Sequence, residues 1–187
     1  MDRELSDADL VKQVQAGNSE AMSQLYRRHR SKVYRYTLSK VYDKELAQDI
    51  TGEVFLRMVK YLPTYSFTGA PFTAWLFRIA HNTLITQSQK EQRTQPFHFD
   101  PVELPAYPNE QPDFQVDAQL QKEWIWYGLD QLDDNQREVV ILRFIAGLSL
   151  KETAHALEKG VGAIKTLQHR GIRALRVALN AKGKGIT

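Results

Sequence analysis

The 187-residue chain contains no cysteine. Disulfides, thiolate metal sites and cysteine nucleophiles are therefore excluded, and the absence suits a reducing compartment. No stretch approaches the roughly 20 apolar residues a helix needs to cross a bilayer. The opening segment MDRELSDADL is acidic and polar, without an apolar signal core. Together these features set the expectation of a cytoplasmic chain with no membrane insertion. The five histidines, His29, His81, His98, His155 and His169, form no close ligand pair, and there is neither a nucleophile motif nor a phosphate-cradling glycine loop. No metal, no cofactor and no catalysis by the chain itself are expected. Alternating apolar and polar residues at strand spacing are also missing over any useful length.

Charge of one sign is missing from two segments. Residues 94–117 carry no lysine or arginine but hold Asp100, Glu103, Glu110, Asp113 and Asp117. From Val161 onward there is no acid. Residues 1–93 carry fourteen basic and ten acidic residues, and residues 137–187 carry ten and three. A basic block of this kind points toward a polyanion or forms a solvated cationic face, and charge alone leaves both readings open.

What is present is enough for packed cores: 42% of the residues are hydrophobic and 10% aromatic. Five prolines, Pro96, Pro101, Pro105, Pro108 and Pro112, fall between the two halves. Proline lacks a backbone donor and pushes its predecessor out of the helical region, so no helix survives that density. The expected architecture is all-α: two small helical domains over residues 1–93 and 116–187, joined by an extended, flexible acidic linker over 94–115.

In the first domain, Ser6 and Asp9 form a capping pair for a short helix that Gly17 closes. The next helix spans Ser19–Val41, with Met22, Leu25, Tyr26, His29, Val33 and Tyr36 on one stripe. A third carries Leu46, Ile50, Val54 and Met58 and stops near Pro63. Pro71 opens a fourth, with Phe72, Trp75, Leu76, Ile79 and Thr83 on one face. In the second domain the pattern predicts helices over Val116–Gly128, Asp134–Ala146, Leu150–Leu157 and Val161–Leu179, with a frayed tail.

Ser149 and Glu152 form a capping box at a short helix, and a turn over Glu158–Gly160 leads directly into a longer basic helix. A short helix, a tight turn and a longer basic helix make a helix-turn-helix, whose second helix enters the major groove. Val161, Ile164, Gly171 and Leu175 lie on one face of that helix and are expected to pack inward. Lys165, Thr166, His169 and Arg170 lie on another, suited to base edges or phosphates, with Arg173 and Arg176 farther along and better placed for phosphates. A basic helix pair with no DNA role has the same pattern.

The segment Tyr65–Gly69 is short and polar, with Phe67 as an exposed aromatic. Such a loop can hold an unstacked base, or simply connect two helices. Asp49, Glu53 and Arg57 share a helix face at a spacing of four, which fits either a protein-docking face or a solvated ladder of pairs.

Taken together, AMSQLYRRHRSKVYRYTLSKVYDKELAQDITGEVFLRMVKYL with PFTAWLFRIAHNTLI resembles the promoter-melting domain of the extracytoplasmic-function (ECF, group 4) division of the sigma-70 family. LDQLDDNQREVVILRFIAGLSLKETAHALEKGVGAIKTLQHRGIRALR resembles the minus-thirty-five-reading domain of the same family. The resemblance implies an RNA polymerase sigma factor that directs promoter recognition and transcription initiation under control of an anti-sigma factor. It implies that Asp49, Glu53, Phe55 and Arg57 dock the β′ coiled coil of core RNA polymerase, with the β subunit a further contact. It assigns the minus-ten element to Tyr65, Ser66, Phe67, Trp75, Arg78 and Asn82, and the minus-thirty-five element to Lys165, Thr166, His169, Arg170 and Arg173. Promoter DNA, core polymerase and an anti-sigma factor are the implied partners. The alternative is a helix-turn-helix regulator that acts without polymerase.

The sequence departs from the family pattern at several points. Asp133 stands where proline is usual. Glu158 and Gly160 stand where glycine and serine are usual in the turn. Gly171 interrupts the basic helix, at an expected cost of about 1 kcal/mol relative to alanine. That cost leaves the second domain only marginally stable when free.

Overall fold

The computed structural model describes residues 5–67, 69–91 and 124–184, and the linker expected over 94–115 lies outside them. Among the described residues every regular element is helical. The first module holds α1 (Asp7–Gln15), α2 (Ser19–Val41), α3 (Lys44–Tyr61) and α4 (Phe72–Glu91). Each start has a local cause. Ser6 accepts from the Asp9 amide while the Asp9 carboxylate takes the Ser6 amide, the reciprocal box expected. Asn18 caps α2 and Asp43 caps α3 through side-chain oxygens. Pro63 sits in a 3-10 turn, Leu62–Thr64, that ends α3. The Pro71 carbonyl accepts from the amides of Ala74 and Trp75 as α4 begins.

Leu25, His29, Val33 and Tyr36 of the expected α2 stripe are buried, while Tyr26 is 40% exposed and meets Phe55 edge-on. Asp7 fastens α1 to α2, with Arg28 Nη1 at 2.6 Å and His29 Nε2 at 2.8 Å from its two oxygens. Burial alone raises a carboxyl pKa, but the contacts with His29 and Arg28 outweigh it and hold Asp7 below its usual range.

The second module holds α5 (residues 124–130), α6 (Asp134–Val140), α7 (Leu150–Ala156) and α8 (Val161–Lys184). Asp133 occupies the place of the usual proline and caps α6 by accepting from the Gln136 amide at 2.8 Å. The expected helix to Ala146 divides at Ile141. A π turn, Ile141–Ile145, carries the chain onward, and the Ala146 amide bonds to the Ile141 carbonyl five residues back. The expected end of the last helix at Leu179 is also corrected, since α8 continues to Lys184.

Gly171 has a structural reason. A Cβ there would lie 2.9 Å from Val140 Cγ2 and 3.4 Å from Gln136 Cβ, so glycine lets α6 and α8 cross closely. The expected penalty is thus offset by a close crossing that a Cβ would crowd.

The modules share one continuous core, in which Tyr36, Leu76 and Phe77 of the first join Trp126, Val140 and Ile141 of the second. Helix α7 packs against α4, and the π turn packs against α2. Tyr42, left-handed at φ 56° at the end of α2, sets its ring edge-on to Trp126 with centroids 5.1 Å apart. Its hydroxyl donates to Asp130 at 3.1 Å. Burial, with Asp130 close by, pushes the Tyr42 phenol well above its ordinary pKa.

Candidate nucleic-acid and protein interfaces

Helix α8 is placed by the turn before it. Ser149 and Glu152 form the reciprocal capping box at α7. Glu158 takes a left-handed conformation, φ 52°, which redirects the chain. The Ile164 amide then bonds to the Gly160 carbonyl at 3.1 Å, so Gly160 serves as the start of α8. Arg143 braces this unit by donating to the Leu148 carbonyl and, at 2.8 Å, to Gln168. Ile164 is fully buried and Gly171 is buried, as the inward face requires. Val161 departs from that expectation. It is 38% exposed.

Lys165, Thr166, His169, Arg170 and Arg173 are all exposed. Their 100° steps place them on one sector of α8, opposite Ile164 and Gly171. Thr166 bonds its hydroxyl to the Gly162 carbonyl at 3.0 Å, and its methyl remains available to solvent or a ligand. Arg170 and Arg173 also border an open cleft of about 550 Å³ between α5 and α8, with Tyr127, Gln131 and Val177 on its other walls. The cationic donors of Lys165, Arg170 and Arg173 in such a row suit an acceptor-rich surface.

The loop after α3 is built on aromatic contacts. Tyr65 lies half-buried with its ring 4.7 Å from that of Trp75, and its hydroxyl donates to the Ala70 carbonyl at 3.0 Å. Burial raises its phenol pKa. The Gln15 amide holds the other side, donating to the carbonyls of Leu62 and Tyr65. Phe67 stands 44% exposed, edge-on to Tyr65 at 5.0 Å, and Ser66 is exposed beside it. Trp75 is half-buried and Asn82 exposed on α4. Arg78 lies on the same helix but is engaged by the second module. Its Nη2 donates to the His155 carbonyl at 2.8 Å and its Nη1 lies 3.1 Å from Glu158.

On α3, Asp49 is exposed, and Arg57 pairs with Glu53 at 2.6 Å in the spacing foreseen. Phe55 does not share that surface. It is 5% exposed and packs inward, so its expected role as a docking contact gives way to a structural one. Leu56 and Val59, which the sequence reading passed over, are 68% and 48% exposed beside the pair.

The sequence reading also missed Glu138. It is buried, and its partners are Tyr36, Lys40 and His81, all from the first module. A signal was available: Glu138 sits beside a wholly apolar run, VVIL. Burial alone would raise its pKa, but the His81 hydrogen bond and the Lys40 charge outweigh this and pull it down to about 2. Among the described residues no group of acids and histidines could hold a metal ion, and no helix is long and apolar enough to cross a membrane.

Known proteins are similar to this chain in sequence and in arrangement. The family profile for Sigma-70 region 2 matches residues 25–94, and that for Sigma-70 region 4 matches residues 128–177. The ECF RNA polymerase sigma factor BldN of Streptomyces coelicolor is 38% identical over 168 residues, 89% of this chain, and the chain spans 63% of BldN's length. The ECF RNA polymerase sigma factor SigX of Bacillus subtilis is 32% identical over 162 residues, 84% of this chain and 82% of SigX. CnrH, solved in complex with the cytosolic domain of CnrY, superposes with a TM-score of 0.71 at 26% identity, over 94% of this chain and 97% of CnrH. The sigma factor RpoE, solved with the anti-sigma factor NepR from Bartonella quintana, shares the fold with a TM-score of 0.66 at 20% identity. Two region matches in chain order, with relatives covered along most of their length, show that the chain belongs to the ECF RNA polymerase sigma factors of the sigma-70 family.

Proposed function

We propose that the chain selects promoters for core RNA polymerase by gripping DNA at two separated elements, with the residue roles that follow. Lys165, Thr166, His169, Arg170 and Arg173 read the minus-thirty-five element from the major groove, Arg170 through a base edge and Arg173 through phosphate. Ser66 and Phe67, supported by Tyr65 on Trp75, hold a flipped minus-ten base by stacking, while Arg78 and Asn82 meet the adjoining strand. Asp49, Glu53 and Arg57, with the exposed Leu56 and Val59, dock the β′ coiled coil. The β subunit contacts the second module.

Melting follows from differential affinity. The loop binds only unstacked bases, so each captured base favours the open form by the energy of that contact. The chain performs no covalent step and holds no metal, and the nucleotidyl transfer belongs to polymerase. It acts in the cytoplasm, and an anti-sigma factor covers it when its genes are off, as the CnrH and RpoE complexes suggest for a chain of this shape.

The observation that carries this reading is the outward row of five polar side chains on α8, set in the same chain as an exposed aromatic loop. Nothing favours a regulator acting without polymerase, which has no use for a region 2 match. The test is in vitro transcription with core enzyme and a promoter library. Start-site selectivity should appear only when the chain is added. Arg170→Ala should weaken use of one upstream sequence about 10- to 100-fold, the worth of a bidentate base contact. Failure of core enzyme to retain the chain or to gain selectivity overturns the reading.

A further inference from the structure

The segment that carries Phe67 is held from outside itself. Gln15, the last residue of α1, donates through its one amide nitrogen to two carbonyls, Leu62 at 3.1 Å and Tyr65 at 2.7 Å. That nitrogen carries two hydrogens, and both are used. The Leu62 carbonyl also accepts from the Tyr65 amide at 3.1 Å, so one side chain braces the turn at both ends. The Tyr65 carbonyl shares a rigid peptide plane with the Ser66 amide. Fixing that carbonyl fixes the direction in which the chain leaves toward Ser66 and Phe67.

Helix α1 is a firm support for this contact. Ser6 and Asp9 close its capping box, Leu10 and Val11 are fully buried, and Asp7 meets Arg28 and His29 of α2. It packs against the 3-10 turn that carries Leu62. Within the segment, the Tyr65 hydroxyl donates to the Ala70 carbonyl and the Tyr65 ring meets that of Trp75. Those contacts hold the Tyr65 side chain, whereas Gln15 holds its backbone. Gln15 itself is exposed and lies outside the core.

We propose that Gln15 is a positioning residue for strand opening: it sets the Tyr65–Ser66 peptide so that Phe67 stands ready to meet an unstacked base. A segment without this brace must be ordered when the base arrives, and that ordering lowers affinity for the open strand. The assignment rests on the base-capture role given to Phe67 above.

Four variants test it. Gln15→Met keeps the length and helix propensity of the side chain and removes both donors. Gln15→Glu sets a carboxylate against two carbonyl oxygens. Gln15→Lys returns donors to the same place. Gln13→Met is the control, because the Gln13 side chain accepts from Asn18 at 3.1 Å at the end of α1 and that bond does not reach the segment. Hydrogen exchange at the Tyr65 amide, followed by NMR in the free chain, should run about 3- to 10-fold faster in Gln15→Met, the worth of one net hydrogen bond. It should run faster still in Gln15→Glu and stay near native in Gln15→Lys and Gln13→Met. With core enzyme added, permanganate reactivity of promoter thymines should fall in the same order while duplex binding stays native. A role in stability alone would lower duplex binding and opening together, and Gln15→Lys would not restore them. Native exchange in Gln15→Met overturns the proposal. So does faster exchange with normal opening, where Phe67→Ala opens the promoter poorly in the same assay. Normal opening in both Gln15→Met and Phe67→Ala removes base capture from this segment, and the positioning role falls with it.

Discussion

Gly171 and Val140 approach so closely that a methyl on the glycine would lie 2.9 Å from Val140 Cγ2. The crossing of α6 and α8, on which the second module rests, depends on that missing atom. Gly171→Ala gains about 1 kcal/mol of helix propensity and meets an overpacking cost of about 1–3 kcal/mol. Val140 is 4% exposed and has little room to yield. The expected net is a loss of about 1 kcal/mol in urea unfolding. Gly162→Ala, with nothing within 4 Å of the added atom, should instead be neutral or stabilising. A stabilised Gly171→Ala would show that the two helices can part without cost.

The docking strip offers a contrast between neighbours. Leu56 is 68% exposed and Phe55 is 5% exposed. Leu56→Glu should leave the thermal transition nearly unchanged and weaken retention by core polymerase. Phe55→Ala removes a core ring beside Tyr26 and should cost about 3–5 kcal/mol of stability. Pull-down and melting on the two variants separate these effects. Equal loss of stability in both would contradict the burial pattern.

Much of this was legible in the sequence because its causes are local. Ser6 with Asp9 and Ser149 with Glu152 mark helix starts within four residues, and both boxes form. The outward row on α8 follows from helical spacing alone. What was not legible depends on distant partners. The Tyr36 hydroxyl donates to Glu138 across 102 residues, and neither sequence window contains the other. Phe77 is fully buried although it lies off the expected stripe of α4, and its ring meets that of Tyr36 on α2 edge-on at 5.5 Å. Phe55, which the resemblance grouped with the docking residues, is 5% exposed and meets Tyr26 of α2 edge-on, a contact outside its own sequence window. The left-handed Glu158 has no local signature, since its side chain gains its contact from the other module.

Acid should open the chain. Glu138 has a pKa of about 2 in the docked arrangement against an ordinary 4.5. A depressed carboxyl contributes stability above its ordinary pKa and loses it as pH falls toward the docked value. The contribution is on the order of 3 kcal/mol, complete above about pH 5 and fading down to about pH 2. Tyr36 and Lys40 from α2 and His81 from α4 are the groups that face it. Asp7 is also depressed, but it ties α1 to α2 and so affects the first module, not the distance between modules. With no native cysteine, dyes placed at Lys32→Cys and Val177→Cys, one exposed site in each module, should therefore move apart between pH 5 and 3 in the otherwise native chain. In Glu138→Gln their separation should start larger and change little. A native separation that stays flat over this range would show that the carboxylate does not hold the modules together.

The aromatic loop makes its own prediction. Phe67 is exposed and touches only Tyr65 among the aromatic rings described, so its removal leaves the core intact. Phe67→Ala should leave the melting temperature and duplex binding close to native. Opening of the promoter should suffer, because a stacked base contributes roughly 1–3 kcal/mol, or about a 5- to 150-fold change in the open fraction. Permanganate reactivity of promoter thymines, with core enzyme present, reads that fraction directly. Tyr65→Phe tests the support beneath it. Loss of the bond to the Ala70 carbonyl loosens the loop while the ring still meets Trp75, so opening should fall by less than in Phe67→Ala. Normal thymine reactivity in Phe67→Ala would move base capture elsewhere on α4, and the exposed loop would be no more than a connection between two helices.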